Sequence, residues 1–143
     1  MTTVEQLTQV FKDNFVAYFR SHVAHVNIQG RNFYNDHKLL GKVYEDLQEQ
    51  IDQVAELLRS LDAFMPDNLQ DIIDGSAIVD TAVMGDADQL LVDTVTDLEI
   101  LKESHENLIH VADQEGLLEI SNYAQDRVLA LAKFIWMLKS TLS

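Results

Sequence analysis

The chain has 143 residues, 47% of them hydrophobic, enough to bury the core of one compact domain spanning 1–143, and 24 acidic against 10 basic residues give it a formal charge of −14. It has no cysteine, which excludes disulfide frameworks, thiolate metal sites and cysteine nucleophiles, and its charge disfavours phosphate backbones and anionic membranes as partners while favouring cations. The amino-terminal residues lack the basic and apolar regions of a signal peptide and no stretch is apolar for long enough to span a bilayer, so a soluble, cytoplasmic protein is expected.

One Pro and five Gly, most at breaks in the apolar pattern, leave long uninterrupted stretches and favour helices over a many-turned β architecture. From Val4 to about Ile28, the positions Leu7, Phe11, Phe15, Tyr18, His22 and His25 recur in steps of three and four, the period of one helical face. Gly30 lies just past this first helix, where a left-handed residue ends a helix at little steric cost, and the chain restarts almost at once. The second helix has the cleanest pattern, with Phe33, His37, Leu40, Tyr44, Leu47, Ile51, Val54, Leu58 and Leu61 on one stripe.

Regularity lapses from Asp62 to Gly85, where Pro66, Gly75 and Gly85 punctuate a long connection and Leu69 to Ile73 allows one short helix. A third long helix runs from about Asp86 to Asp113, with Leu91, Val95, Leu98, Leu101, His105, Leu108 and Ala112 on one face, and Gly116 closes it. The fourth carries Leu117, Ala124, Val128, Leu131, Ile135 and Leu138. Two short turns around one long crossover predict an all-α, ferritin-like four-helix bundle on pattern alone.

Four side chains stand out as candidate metal ligands. His25 lies about one turn before the end of the first helix and His37 shortly after the start of the second, so the hairpin brings them to one end. Asp52 and Glu56 are an i, i+4 carboxylate pair on the second helix, within a stripe about 100° wide that includes His37. Imidazole with carboxylate suits iron, manganese and zinc. His37 and Asp52 are nevertheless separated by roughly 22 Å of helical rise, which forbids one metal from binding both in one chain. A twofold axis packing the second helix against its antiparallel copy would bring the carboxylates of one subunit to the histidines of another.

The stretch Ala24-His25-Val26-Asn27-Ile28-Gln29-Gly30, then Phe33, His37, Tyr44 and Asp52-Gln53-Val54-Ala55-Glu56, resembles the Dps signature H-W-N-V-x-G, F-x-x-x-H and D-x-x-A-E-R. Arg127, Lys133 and Trp136-Met137-Leu138-Lys139-Ser140 resemble the family's last-helix ending. The resemblance implies a homo-oligomeric shell of twelve subunits that oxidises Fe(II) with peroxide or dioxygen and stores Fe(III) as mineral, protecting against oxidative damage. It implies that His25, His37, Asp52 and Glu56 form the ferroxidase centre across a twofold interface. Iron, as Fe(II) and Fe(III), is then both substrate and cargo.

Four departures accompany the match. Val26 replaces a Trp thought to absorb oxidising equivalents, Gly41 an acidic residue found in many members, and Leu57 an Arg for which Arg59 is a nearby substitute. The basic amino-terminal arm that some members use on DNA is absent, Lys12 being the first basic residue, so DNA is not expected as a partner. The alternative is a Dps-like cage without ferroxidase activity, kept for a structural or DNA-binding role. Outside the four ligands, His22, His105 and His110 read as core or surface histidines, and Asp86, Asp88, Asp93, Asp97 and Glu99 as a solvated acidic face. Asp113, Glu115 and Asp126 are candidates for lining the cage or its pores, Met65, Met84 and Met137 read as packing residues, and Trp136 as a packing or interface anchor.

Overall fold

The computed structural model describes residues 1–142 as five helices, with no strand among them: α1 (Thr3–Asn27), α2 (Phe33–Ser60), α3 (Leu69–Gly75), α4 (Ala87–Gln114) and α5 (Leu118–Leu142). The helix ends follow from local chemistry. Thr2 caps α1 in a capping box, its hydroxyl accepting from the Glu5 N–H while the Glu5 carboxylate accepts from the Thr2 N–H. Asp86 caps α4 by accepting from the Gln89 N–H at 2.9 Å.

Two helices end in the left-handed turn that returns N–H groups to the last carbonyls. Gly116, at φ +72°, closes α4 with Leu117 N–H bonded to Ala112 O. Asp62, at φ +61°, closes α2 in the same way, with Ala63 N–H on Leu58 O; no Gly or Pro signals this stop. Gly30 departs from its expected role. The first helix already ends at Asn27 with Ile28 extended, and the φ of +128° at Gly30 serves the following turn, where its carbonyl accepts from Phe33 N–H.

Helix α1 runs antiparallel to α2, since Asn14 reaches Leu47 O and His25 meets His37. It also runs antiparallel to α4, as the pairs Gln6 with Ser104 and Arg20 with Asp97 show. Helices α2 and α4 are therefore parallel, and the chain must cross the length of the bundle between them. Two side chains of α1 hold that crossover: Asp13 Oδ1 accepts from Ser76 Oγ and Ala77 N–H, and Arg20 donates to Thr81 O and to Asp97.

Leu7, Phe11, Leu40, Leu47, Leu58, Leu98, Leu101, Leu108, Leu131 and Leu138 fill the interior and are fully buried. Each such side chain contributes about 2 kcal/mol from area removed from water. Packing also corrects several expectations. Phe15, Tyr18, His22 and His25 lie half-buried, while Val10, Ala17 and Ala24 face the core, so the aromatic stripe of α1 borders a seam with α2.

Asp97 is not part of a solvated face: it is 8% exposed and paired with Arg20 at 2.7 Å. Burial holds its carboxyl above the ordinary range although Arg20 opposes this. Met65 and Met84 pack against little within one chain, and Trp136 is 64% exposed. With Phe64, Leu69 and Leu129 they leave apolar surface on the crossover and on α5.

Candidate metal centre

His25 sits in the last turn of α1, where carbonyls lack a helical N–H partner, and His37 sits in the opening turns of α2. The hairpin places the two residues so that each serves the other. His25 Nδ1 lies 2.6 Å from His37 O, and His37 Nδ1 lies 2.7 Å from His25 O. A carbonyl oxygen only accepts, so each Nδ1 carries the proton and donates it. In the neutral ring this leaves the lone pair on Nε2, the tautomer a metal-binding histidine needs, fixed by a backbone partner.

The two rings stack at 3.8 Å between centroids, inclined by 17°. Further aromatic groups enclose them: Phe33 stacks on His37 at 5.0 Å, Tyr44 lies 4.9 Å from His25, and His22 stacks on Tyr44 at 4.2 Å. Both imidazoles line a shallow, open cavity of about 390 Å³ with Gly41, Tyr34, Lys42 and Glu45. Gly41 is in close contact with the His25 ring. A Cβ at that position would lie 2.9 Å from His25 Cε1 and 3.1 Å from Nδ1.

Asp52 and Glu56 are both exposed, farther along α2. Hydrogen bonding to Asp52 and the negative charge of that neighbour hold the Glu56 carboxyl above the ordinary carboxylate range. A cation between the two would relieve this repulsion. Because α2 is a continuous helix from Phe33 to Ser60, the histidine pair and the carboxylate pair stay roughly 22 Å apart along its axis. Among the described residues, no three His, Asp or Glu side chains of one chain converge as a metal site. The donor set fits a borderline metal such as iron in its chemistry, and its division into two distant pairs fits one shared between chains.

The departures acquire structural content. Val26 is exposed, and Leu57 is half-buried. Arg59 does not stand in beside Glu56: its guanidinium lies 4.4 Å from the Phe64 ring centroid and donates to Ala63 O, fastening the end of α2. The sequence reading treated Gly41 only as a lost carboxylate and missed its contact with His25. The only signal for that contact was the four-residue step from His37. Of the pore candidates, Asp113 and Asp126 are exposed, whereas Glu115 accepts from both the Thr3 N–H and hydroxyl and docks α1 on the α4–α5 turn. Those bonds hold the Glu115 carboxyl below the ordinary range.

His105, left open as core or surface, is 1% exposed, and neither ring nitrogen has a hydrogen-bond partner. Burial, with a smaller contribution from the Arg127 charge, lowers its pKa to about 3. Arg127 itself is buried and paired with Asp46, and Tyr123 donates to Gln50 at 2.7 Å.

Residues 4–143 match the family described as Ferritin-like domain. The chain is 27% identical to the DNA protection during starvation protein of Helicobacter pylori over 144 residues, covering 100% of both chains. It is 30% identical to antigen TpF1 of Treponema pallidum over 96% of this chain and 78% of that one. Among solved structures it is similar to Dps from Listeria innocua, from work preceding soaks with Zn, Co and La, with a TM-score of 0.94, 26% identity, and coverage of 99% of this chain and 95% of that one.

Proposed function

We propose that this chain, which belongs to the ferritin-like domain family and within it to the Dps proteins, folds as one domain and oxidises Fe(II) at a centre shared between two subunits. Fe(III) is then stored as mineral inside a closed homo-oligomeric shell of about twelve copies. The family's general role in iron storage and protection from oxidative damage supports this reading. The observation that carries it is the reciprocal bonding of His25 and His37, which engages Nδ1 of each ring with a backbone carbonyl and leaves both Nε2 atoms for a metal on one cavity wall.

His25 and His37 bind Fe(II) through nitrogen, and the partner subunit's Asp52 and the partner subunit's Glu56 supply oxygen ligands and the negative charge that favours Fe(III) over Fe(II). Each Fe(II) gives up one electron, and peroxide, taking two electrons and two protons, leaves as water; dioxygen is the other oxidant of this chemistry. Consuming peroxide and Fe(II) together suppresses hydroxyl-radical formation. The exposed apolar residues of the crossover and Trp136 support burial against neighbouring copies. Duplex DNA is not a partner in this reading, because 10 basic residues face 24 acidic ones.

Mixed shells test the shared centre. Shells of only His25→Ala/His37→Ala, or only Asp52→Ala/Glu56→Ala, should oxidise iron no faster than buffer. Co-assembled shells should recover activity, because one of the two centres across each mixed twofold axis regains all four ligands. If both parents are inactive and verified mixed shells recover nothing, the shared-centre assignment is wrong.

A further inference from the structure

Many Dps proteins resembling this chain carry an acidic residue where Gly41 stands, one helical turn after the second histidine, so the glycine first reads as a missing ligand. The geometry points elsewhere. We propose that Gly41 is a positioning residue: by presenting no Cβ, it lets the His25 ring lie against α2, where His25 and His37 lock each other with their free nitrogens available. The proposal rests on the reading of this pair as Fe(II) ligands.

The His25 ring has little freedom to yield. Its Nδ1 is bonded to His37 O at 2.6 Å, its face stacks on the His37 ring at 3.8 Å, and Tyr44 lies 4.9 Å away. A Cβ at position 41, 2.9 Å from Cε1, falls well inside the roughly 3.5 to 4.0 Å at which carbon atoms attract. Relief requires the ring to move by about half an ångström or more, lengthening its bond to His37 O or opening the stack. Either movement releases the constraint that selects the Nδ1–H tautomer. The helix supplies no reason for glycine here, since Gly41 lies inside α2, where alanine is the better helix former. Substitution should therefore disturb the histidines and not the fold.

The prediction is counterintuitive: Gly41→Asp, which adds a carboxylate beside the site, should bind metal more weakly than the natural chain. Co(II), which has visible absorption sensitive to its ligands, is titrated anaerobically into assembled wild type, Gly41→Ala, Gly41→Asp and His25→Ala/His37→Ala, with melting temperature and shell mass recorded for each. The expected result is a loss of Co(II) affinity of about tenfold or more in both Gly41 variants, with an altered absorption band, unchanged shell mass and a melting temperature lowered by no more than one lost hydrogen bond accounts for. Binding by Gly41→Asp as tight as or tighter than wild type would overturn the proposal, leaving Gly41 a lost ligand. A fall in melting temperature or shell mass with the band and affinity retained would overturn it too, giving Gly41 a purely structural role. Equal binding by wild type and the double-histidine variant would instead remove the ligand reading, and the proposal with it.

Discussion

The bundle holds histidine in two opposite settings. At the hairpin end, His25 and His37 are half-buried, and each Nδ1 has a carbonyl partner. In the interior, His105 is almost fully buried with no partner on either nitrogen. Burial without a partner keeps His105 neutral, with an N–H and a lone pair that both face no partner. Partial exposure with one nitrogen satisfied gives the other pair a fixed tautomer and an open side. Availability of a lone pair, and not the presence of an imidazole, separates the candidate centre from the core.

Acid pH should expose the difference most strongly. With its folded pKa lowered to about 3 against an ordinary 6.5, His105 takes up a proton in the unfolded chain but not in the native one between those values. Stability associated with this group is therefore intact above about pH 6.5 and declines as the pH falls toward 3, by roughly 5 kcal/mol in total. His105→Leu should flatten this part of the pH profile in urea unfolding while leaving Co(II) binding unchanged. An unaltered acid slope would show that His105 finds a proton-accepting partner in the native interior.

A smaller loss is expected from Asp46→Ala, which leaves the buried Arg127 guanidinium without its carboxylate. Breaking one side of such a pair should destabilise the protein by about 3 kcal/mol, read from the unfolding midpoint, with no change in metal affinity. If Asp46→Ala weakened Co(II) binding as well, the interior and the hairpin end would not be separable.

The smallest effect on stability belongs to the hairpin end itself. His37→Ala removes one hydrogen bond to His25 O from a half-exposed position and should lower stability by only about 1 kcal/mol. The same variant should lose most of its Co(II) affinity. A large fall in melting temperature would mean that the pair is a structural clasp first and a ligand pair second.

Much of this was legible from spacing. The heptad-like steps around Leu40, Leu47, Val54 and Leu58 place α2, Gly116 marks the end of α4, and the long irregular interval from Asp62 to Gly85 carries the crossover that makes α2 and α4 parallel. The fifteen positions from His37 to Asp52 already divide the candidate ligands into two groups, because rise per residue is a property of any helix. What spacing did not reveal was Asp97 against Arg20, His105 without partners, and Gly41 under the His25 ring.

The reason is that periodicity specifies where a side chain lies around its own axis, whereas these three features depend on how one helix is rotated and how closely it sits against another. An acidic run looks solvated until packing turns one member inward, and a glycine looks like a missing side chain until a neighbouring ring fills its place. The sequence by itself determined the helices, their order and the separation of the two candidate ligand pairs, all consequences of local geometry and of which face is apolar. Only the tertiary structure decided which histidines keep a usable lone pair, because that depends on the atoms that close packing brings within hydrogen-bonding distance across the α1–α2 seam.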